Sequence, residues 1–206
     1  SDVYGARNSM VSADDVYITV DEGAVVTESV IGGTSTSHTE KWSLADGYDT
    51  DKKHYTANSN IHVLFNGEGR VDDTKLYSCR IYGGGVFGGV TGNINVTVNG
   101  HAEYVYGGSS SDDVTGNIDI TINGGVYTGG HNADMELGEV STWFGGTVTS
   151  SCARGTVTGN ITTTINKDAE VHALIGGSDD GSVVGNINVH VYGKILKKNH
   201  ENSDRF

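Results

Sequence analysis

The stretch Gly83-Gly84-Gly85-Val86-Phe87-Gly88-Gly89-Val90-Thr91-Gly92-Asn93-Ile94-Asn95-Val96-Thr97-Val98-Asn99-Gly100 decides how this chain is read. It consists of a glycine pair, seven residues, and then Gly-Asn-Ile opening a segment in which apolar and polar residues alternate. The same count returns at Gly107-Gly108 with Gly116-Asn117-Ile118 and at Gly176-Gly177 with Gly185-Asn186-Ile187. A degenerate first copy keeps it, from Gly5-Ala6 to Asp14-Asp15-Val16. Two copies are stretched: Gly32-Gly33 reaches Ser59-Asn60-Ile61 after 18 extra residues, and Gly145-Gly146 reaches Gly159-Asn160-Ile161 after five. Gly129-Gly130 competes with Gly145-Gly146 for that last corner, and the smaller offset favours Gly145-Gly146. Fixed spacing at a period of 24 to 26 residues is the signature of a stacked repeat architecture.

Each copy supplies a strand. In Ile94-x-Val96-x-Val98, Ile118-x-Ile120-x-Ile122, Ile187-x-Val189-x-Val191 and Val16-x-Ile18-x-Val20, β-branched residues alternate with polar ones, the period of a strand with one buried face. A lone short strand cannot bury that face, so successive copies must stack. About 25 residues hold roughly three short strands and their turns, one coil of a three-sided parallel β-helix, with coils ~4.8 Å apart. Six to seven coils form a rod ~30 Å long whose stability is quasi-one-dimensional.

Two asparagine columns fit this stacking. Asn60, Asn93, Asn117, Asn160 and Asn186 stand just before the strand, and Asn66, Asn99, Asn123 and Asn166 just after it, with Asp15 and Asp21 in their place on the first copy. At a strand spacing each side-chain amide can donate to the same amide on the next coil, so both columns are expected to be structural ladders. Asn and the neighbouring Gly92, Gly116, Gly159 and Gly185 tolerate the left-handed corners such a path needs.

With 206 residues the chain is expected to form one domain, 1–206. Its 31 glycines sit at fixed corners, which separates them from the glycine excess of a disordered chain. A net charge of −13 makes nucleic acid an unfavourable partner, and no apolar run is long enough to span a membrane as a helix. Val3-Tyr4-Gly5 opens in mid-repeat, as expected for a processed start or a piece of a longer chain. Cys79 and Cys152 fall on copies that are not adjacent, so two separate thiols are expected.

The pattern breaks at residues 34–58 and 131–156, two insertions that must leave the rod at corners, and again in the charged tail 194–206, which is expected to cover the last coil or trail from it. The insertions hold Trp42, Tyr48, Trp143 and Phe144, aromatic groups suited to stacking on sugars or a protein partner. They also carry Asp46, Asp49, Asp51, Asp134, Glu136 and Glu139, the carboxylates a glycoside-cleaving site would draw on. Acidic pairs at Asp14-Asp15, Asp72-Asp73, Asp112-Asp113 and Asp179-Asp180 lie at differing offsets in their corners. Stacked acidic turns can supply calcium ligands, but at these differing offsets the pairs are expected to be solvated turns, and no cofactor is otherwise expected. The outward threonines Thr19, Thr97, Thr121 and Thr164 are interrupted by Leu64 and His190, and the adjoining column is irregular, which reads as a plain solvated sheet face rather than an ice-binding array.

Ile81-Tyr82-Gly83-Gly84-Gly85, Val105-Tyr106-Gly107-Gly108 and Val90-Thr91-Gly92-Asn93-Ile94-Asn95-Val96-Thr97-Val98-Asn99-Gly100 resemble the repeats of large adhesin-like surface proteins of bacteria. The resemblance covers about three quarters of the chain and fails at the two insertions. It implies an all-β, right-handed parallel β-helix, secreted or displayed at the cell surface, with an adhesive or spacing role and no catalytic residues to transfer. The expected function is therefore a non-enzymatic extracellular module that binds a glycan or a surface protein. The alternative is a polysaccharide-acting lyase or glycoside hydrolase of the same fold.

Overall fold

The computed structural model describes residues 2–7, 13–35, 55–69, 79–126 and 146–196. Among these residues the chain is all-β, with no helix, and its paired strands are all parallel. Strands fall into four sheets, and in each the spatial order follows the order along the chain. Every strand inside a ladder thus lies beside its counterparts from the repeats before and after, and each end strand beside one of them.

The longest ladder holds Asp15–Val20, Asn60–Phe65, Ile94–Val98, Ile118–Ile122, Ile161–Ile165 and Ile187–Val191. Its register sets Val16, Ile61, Ile94, Ile118, Ile161 and Ile187 in one column. Alternation does the rest: Ile61, Val63, Phe65 and the matching residues of the next three repeats turn inward and are buried, while the residues between them face out. The second six-stranded ladder is Val3–Arg7, Ser29–Ser35, Arg80–Tyr82, Tyr104–Tyr106, Thr147–Thr149 and Ala173–Ile175. Here Val30, Ile81, Val105 and Val148 form the inward column.

Two four-stranded ladders of very short strands flank the long one. Val90–Thr91, Val114–Thr115, Thr156–Thr158 and Ser182–Val184 precede it, and His101–Ala102, Gly125–Val126, Glu170–Val171 and Lys194–Ile195 follow it. The repeat therefore divides over four ladders rather than the three its length suggested. The division falls at Gly92, Gly116, Gly159 and Gly185, whose φ values of 151° to 158° turn the chain between the short strand and the long one. These corners admit no side chain. A Cβ at Gly116 would lie 2.1 Å from the carbonyl oxygen of Gly92, one repeat earlier.

Two expected alignments change. In the fifth repeat Tyr106 pairs with Thr149, and Thr149 with Ile175, so the corner equivalent to Gly107-Gly108 and Gly176-Gly177 is Ser150-Ser151, not Gly145-Gly146. Seven residues then separate Ser151 from Gly159, and the apparent five-residue stretching disappears. What the corner requires is a small residue, and serine meets that need because the core opposite it is altered. A Cβ at Gly107 would meet Ile120 Cδ1 at 2.6 Å, but the residue paired with Ile120 in the fifth repeat is Thr163, whose hydroxyl donates to Ser150 Oγ at 2.7 Å. In the first repeat, Tyr4 pairs with Ile31 but Ala6 with Thr34, so a bulge sets Gly5 against both Gly32 and Gly33.

Candidate functional site

Trp42, Tyr48, Trp143 and Phe144 lie outside the described residues, as do Asp46, Asp49, Asp51, Asp134, Glu136 and Glu139. The described residues bring together a different aromatic group, on the outer face of the ladder that contains Tyr82 and Tyr106.

Parallel pairing places Arg80 beside Tyr104 and Tyr82 beside Tyr106. Because strands in a ladder are ~4.8 Å apart, like rings in one column must stack. Tyr82 and Tyr106 do so, with centroids 5.0 Å apart and planes 6° from parallel. Tyr104, two residues from Tyr106 on the same face, lies 6.3 Å from it at 15°. The Arg80 guanidinium sits over the Tyr104 ring, its carbon 5.4 Å from the centroid. At the first repeat the same column holds Tyr4, whose hydroxyl donates to Asp2 at 2.7 Å. Tyr82 is buried, Tyr104 and Tyr106 are partly open, and Arg80 is exposed.

Charge in this group is set by burial and by the single cation. Burial pushes the Tyr106 phenol up to about 12, with the neighbouring Tyr82 adding to the rise and Arg80 opposing it. Tyr82 and Tyr104 are raised for the same first reason. Glu103, which precedes Tyr104, is also raised by burial, against the pull of Arg80. For Arg80, burial works to lower the value, but Tyr82 and Glu103 outweigh it and hold the guanidinium firmly charged. At neutral pH the face therefore presents neutral phenols and the Arg80 cation, with the carboxyl groups of Asp2 and Glu103 beside them. Such a surface can stack on the apolar face of a sugar ring and exchange hydrogen bonds with its hydroxyls.

The sequence carried a signal for it. Tyr82 and Tyr106 are one repeat apart, each just before its glycine pair, and at that offset two rings in a stacked repeat must touch. Attention to the insertions alone passes over this column.

A second cluster lies on the outer face of the long ladder. Tyr17 stacks on His62, with centroids 4.6 Å apart and planes at 11°. His62 Nε2 lies 3.1 Å from Asp15 Oδ1, and Asn95 Nδ2 lies 3.4 Å from His62 Nδ1. In the tautomer with Asn95 donating to Nδ1, Nε2 donates to Asp15, and the two contacts fix the orientation of the ring. These contacts satisfy one another within the column.

The two asparagine columns work differently. After the strand, Asn99 Nδ2 donates to Asn66 Oδ1, Asn123 to Asn99 and Asn166 to Asn123, at 2.5 to 2.6 Å, an amide-to-amide ladder. Before the strand the donor is the backbone. The N–H of Asn93 reaches Asn60 Oδ1, and the chain continues through Asn117, Asn160 and Asn186 at 2.9 to 3.0 Å. The reason is local: the corner leaves one backbone N–H per repeat without a carbonyl partner, and the asparagine below supplies the oxygen.

Of the acidic pairs, Asp113 accepts from the Thr156 N–H at 2.7 Å, and Asp15 accepts from Asn60 Nδ2 at 3.3 Å. Among the described residues no group of three or more His, Cys, Asp or Glu converges as metal ligands, and no helix is long and apolar enough to cross a membrane. Cys79 and Cys152 are both buried free thiols, each pushed up to about 12 by burial.

No protein-family model matches the chain, and neither a curated protein nor a solved structure shows significant similarity to it.

Proposed function

We propose that the chain is a right-handed parallel β-helix of six coils and that it serves as a non-enzymatic adhesion or ligand-binding module of an extracellular or surface-displayed bacterial protein. The helical reading is supported by the four ladders in chain order, each strand beside its own counterpart. The right hand follows the rule for parallel crossovers. The binding reading rests on one observation: the Tyr82–Tyr106 stack continued by Tyr104 and Arg80 on a partly open sheet face. A glycan is the ligand class that such a face fits best, since phenol edges and a charged guanidinium match a surface of C–H groups ringed by hydroxyls. Trp42, Tyr48, Trp143 and Phe144 are proposed as a further aromatic set for the same ligand.

A second reading, a polysaccharide-acting enzyme, is favoured by Glu103, a half-buried carboxyl with a raised pKa beside aromatic rings. One experiment separates the two. The chain is incubated with immobilised neutral and acidic polysaccharides, and both retention and released reducing or unsaturated ends are scored. Retention without products is expected, weakened at least tenfold by Arg80→Ala with Tyr104→Ala, and separately by Trp42→Ala with Trp143→Ala. Released products lost in Glu103→Gln would overturn the binding reading in favour of catalysis.

A further inference from the structure

The two ends of the stack differ. In the first repeat the inward residues Ile18 and Val20 are 7% and 5% exposed, close to the values of the interior repeats. In the last repeat the residues in the same columns, Val189 and Val191, are 40% and 44% exposed, and Ile187 is 44% exposed. Ile195, on the next strand, is 48% exposed. These are core residues by position, set in register with Ile161, Thr163, Ile165 and Val171, all of which are fully buried. Among the described residues all four ladders also end at this level, each with its last strand paired on one side only. Residues 197–206, Lys-Lys-Asn-His-Glu-Asn-Ser-Asp-Arg-Phe, hold one apolar residue and show no strand alternation.

We infer that this open end is an interface for a second copy of the same chain, joined end to end about a two-fold axis through Val189. The last repeat matches its own reverse. Counting outward from Val189, Asn188 meets His190, Ile187 meets Val191, Asn186 meets Tyr192, Gly185 meets Gly193, and Val183 meets Ile195. Apolar inward residues meet apolar inward residues, and the two bends fall at the same distance on either side.

Hydrogen bonding allows the same register. Asn186 turns its N–H to Asn160 Oδ1 and its carbonyl to the Ile161 N–H, both toward the fifth repeat. Alternate residues of a parallel strand point opposite ways, so Ile187, Val189 and Val191 turn their N–H and C=O groups to the open end. Antiparallel pairing of Ile187–Val191 with its copy then satisfies all three residues on both chains and closes the apolar core across the axis. A head-to-tail stack gains far less, because Ile18 and Val20 at the other end are already covered. A closed, self-complementary pair is also the commonest form of symmetric association.

The test is sedimentation velocity on the full chain across a concentration series, with Val189→Lys as the variant. The wild type sediments as a dimer. Two lysines at the axis weaken association by more than about a hundredfold, since each charge is buried beside its like. Because Val189 lies at an exposed end, the lysine leaves the β circular dichroism signal intact. Val189→Cys supplies an independent reading. Facing residues of a hydrogen-bonded antiparallel pair have Cα atoms ~5.5 Å apart, within disulfide reach. Air oxidation should cross-link Val189→Cys, whereas Val184→Cys, which faces Lys194 of the second copy, should stay unlinked; Cys79 and Cys152 are too buried to compete. A wild type that is monomeric at every concentration, a dimer that survives Val189→Lys, or equal cross-linking at 184 and 189 would each overturn the inference.

Discussion

Ser150 and Thr163 should behave as one unit under mutation. At the equivalent place one repeat earlier, Gly107 faces Ile120, and a Cβ on Gly107 would lie 2.6 Å from Ile120 Cδ1. The fifth repeat has exchanged both partners, and the Thr163 hydroxyl donates to Ser150 Oγ at 2.7 Å with both residues fully buried. Thr163→Ile alone overpacks against the serine, at about 1–3 kcal/mol. It also leaves a buried hydroxyl unpaired, at about 1–3 kcal/mol. Roughly 1.5 kcal/mol is regained from the added apolar carbon. Ser150→Gly alone strands the Thr163 hydroxyl and frees the unfolded backbone, about 2–3 kcal/mol together. The double variant restores the pair found at Gly107 and Ile120, and its stability should fall within about 1 kcal/mol of wild type. A coupling of at least about 1.5 kcal/mol follows. Urea unfolding followed by far-ultraviolet circular dichroism measures it. Because a stacked repeat can open locally, hydrogen exchange at Ile161–Ile165 should report the same order of variants. If the double variant loses the sum of the two single losses, the compensation does not exist.

Alkali should destabilise the fold well before neutral-pH reasoning suggests. Cys79 and Cys152 are held protonated up to about 12, against an ordinary value of 9.0. Their contribution is complete below pH 9 and is lost as pH rises from 9 toward 12, because the unfolded thiols release their protons first. The slope is about 1.4 kcal/mol per pH unit for each thiol, so the urea midpoint should fall clearly between pH 9 and 10.5, and less steeply in Cys79→Ala with Cys152→Ala. A flat midpoint over that range would contradict the burial of the thiols. The corner glycines separate steric exclusion from backbone preference. Gly116→Ala sets a Cβ 2.1 Å from a backbone oxygen and should cost about 3–5 kcal/mol in strain and lost ladder bonds. Gly23, at φ 82° with nothing within 4 Å of its Cβ position, should cost only about 1 kcal/mol as alanine. Equal losses in urea titrations of the two would show that conformation alone governs the corner.

The long ladder was legible because an Ile-x-Val-x-Val segment carries its own register: a shift of one residue would expose every apolar side chain. The corners were harder. Glycine pairs mark most of them, but the requirement is for small side chains against a β-branched core. Ser150-Ser151 meets it through a change at Thr163 that no local pattern announces. The split into four ladders escaped the sequence because a two-residue strand such as Val90–Thr91 is too short to show alternation. Both asparagine columns were visible, yet the first works through backbone donors, a geometry that depends on where the corner points its N–H. For the aromatic face, tyrosines one repeat apart held the information, whereas Arg80 joins it only through its pairing with Tyr104.

The unequal distances between stacked neighbours bear on how readily this scaffold accepts new sequence. Asn93 and Asn117 meet across 24 residues, Asn160 and Asn186 across 26, but Asn117 and Asn160 across 43. Closing the longer path costs only about 0.5 kcal/mol more in chain entropy than the shortest, since the penalty grows with the logarithm of length. The hydrogen bond formed at the end of it is the same, 2.9 Å in both the 24- and the 43-residue case. Length between strands is therefore nearly neutral for this molecule, while any change in the strands or corners is not. A peptide grafted between Val126 and Gly146 should find a host that barely registers its presence, and variation among natural relatives should concentrate in such segments and spare the columns.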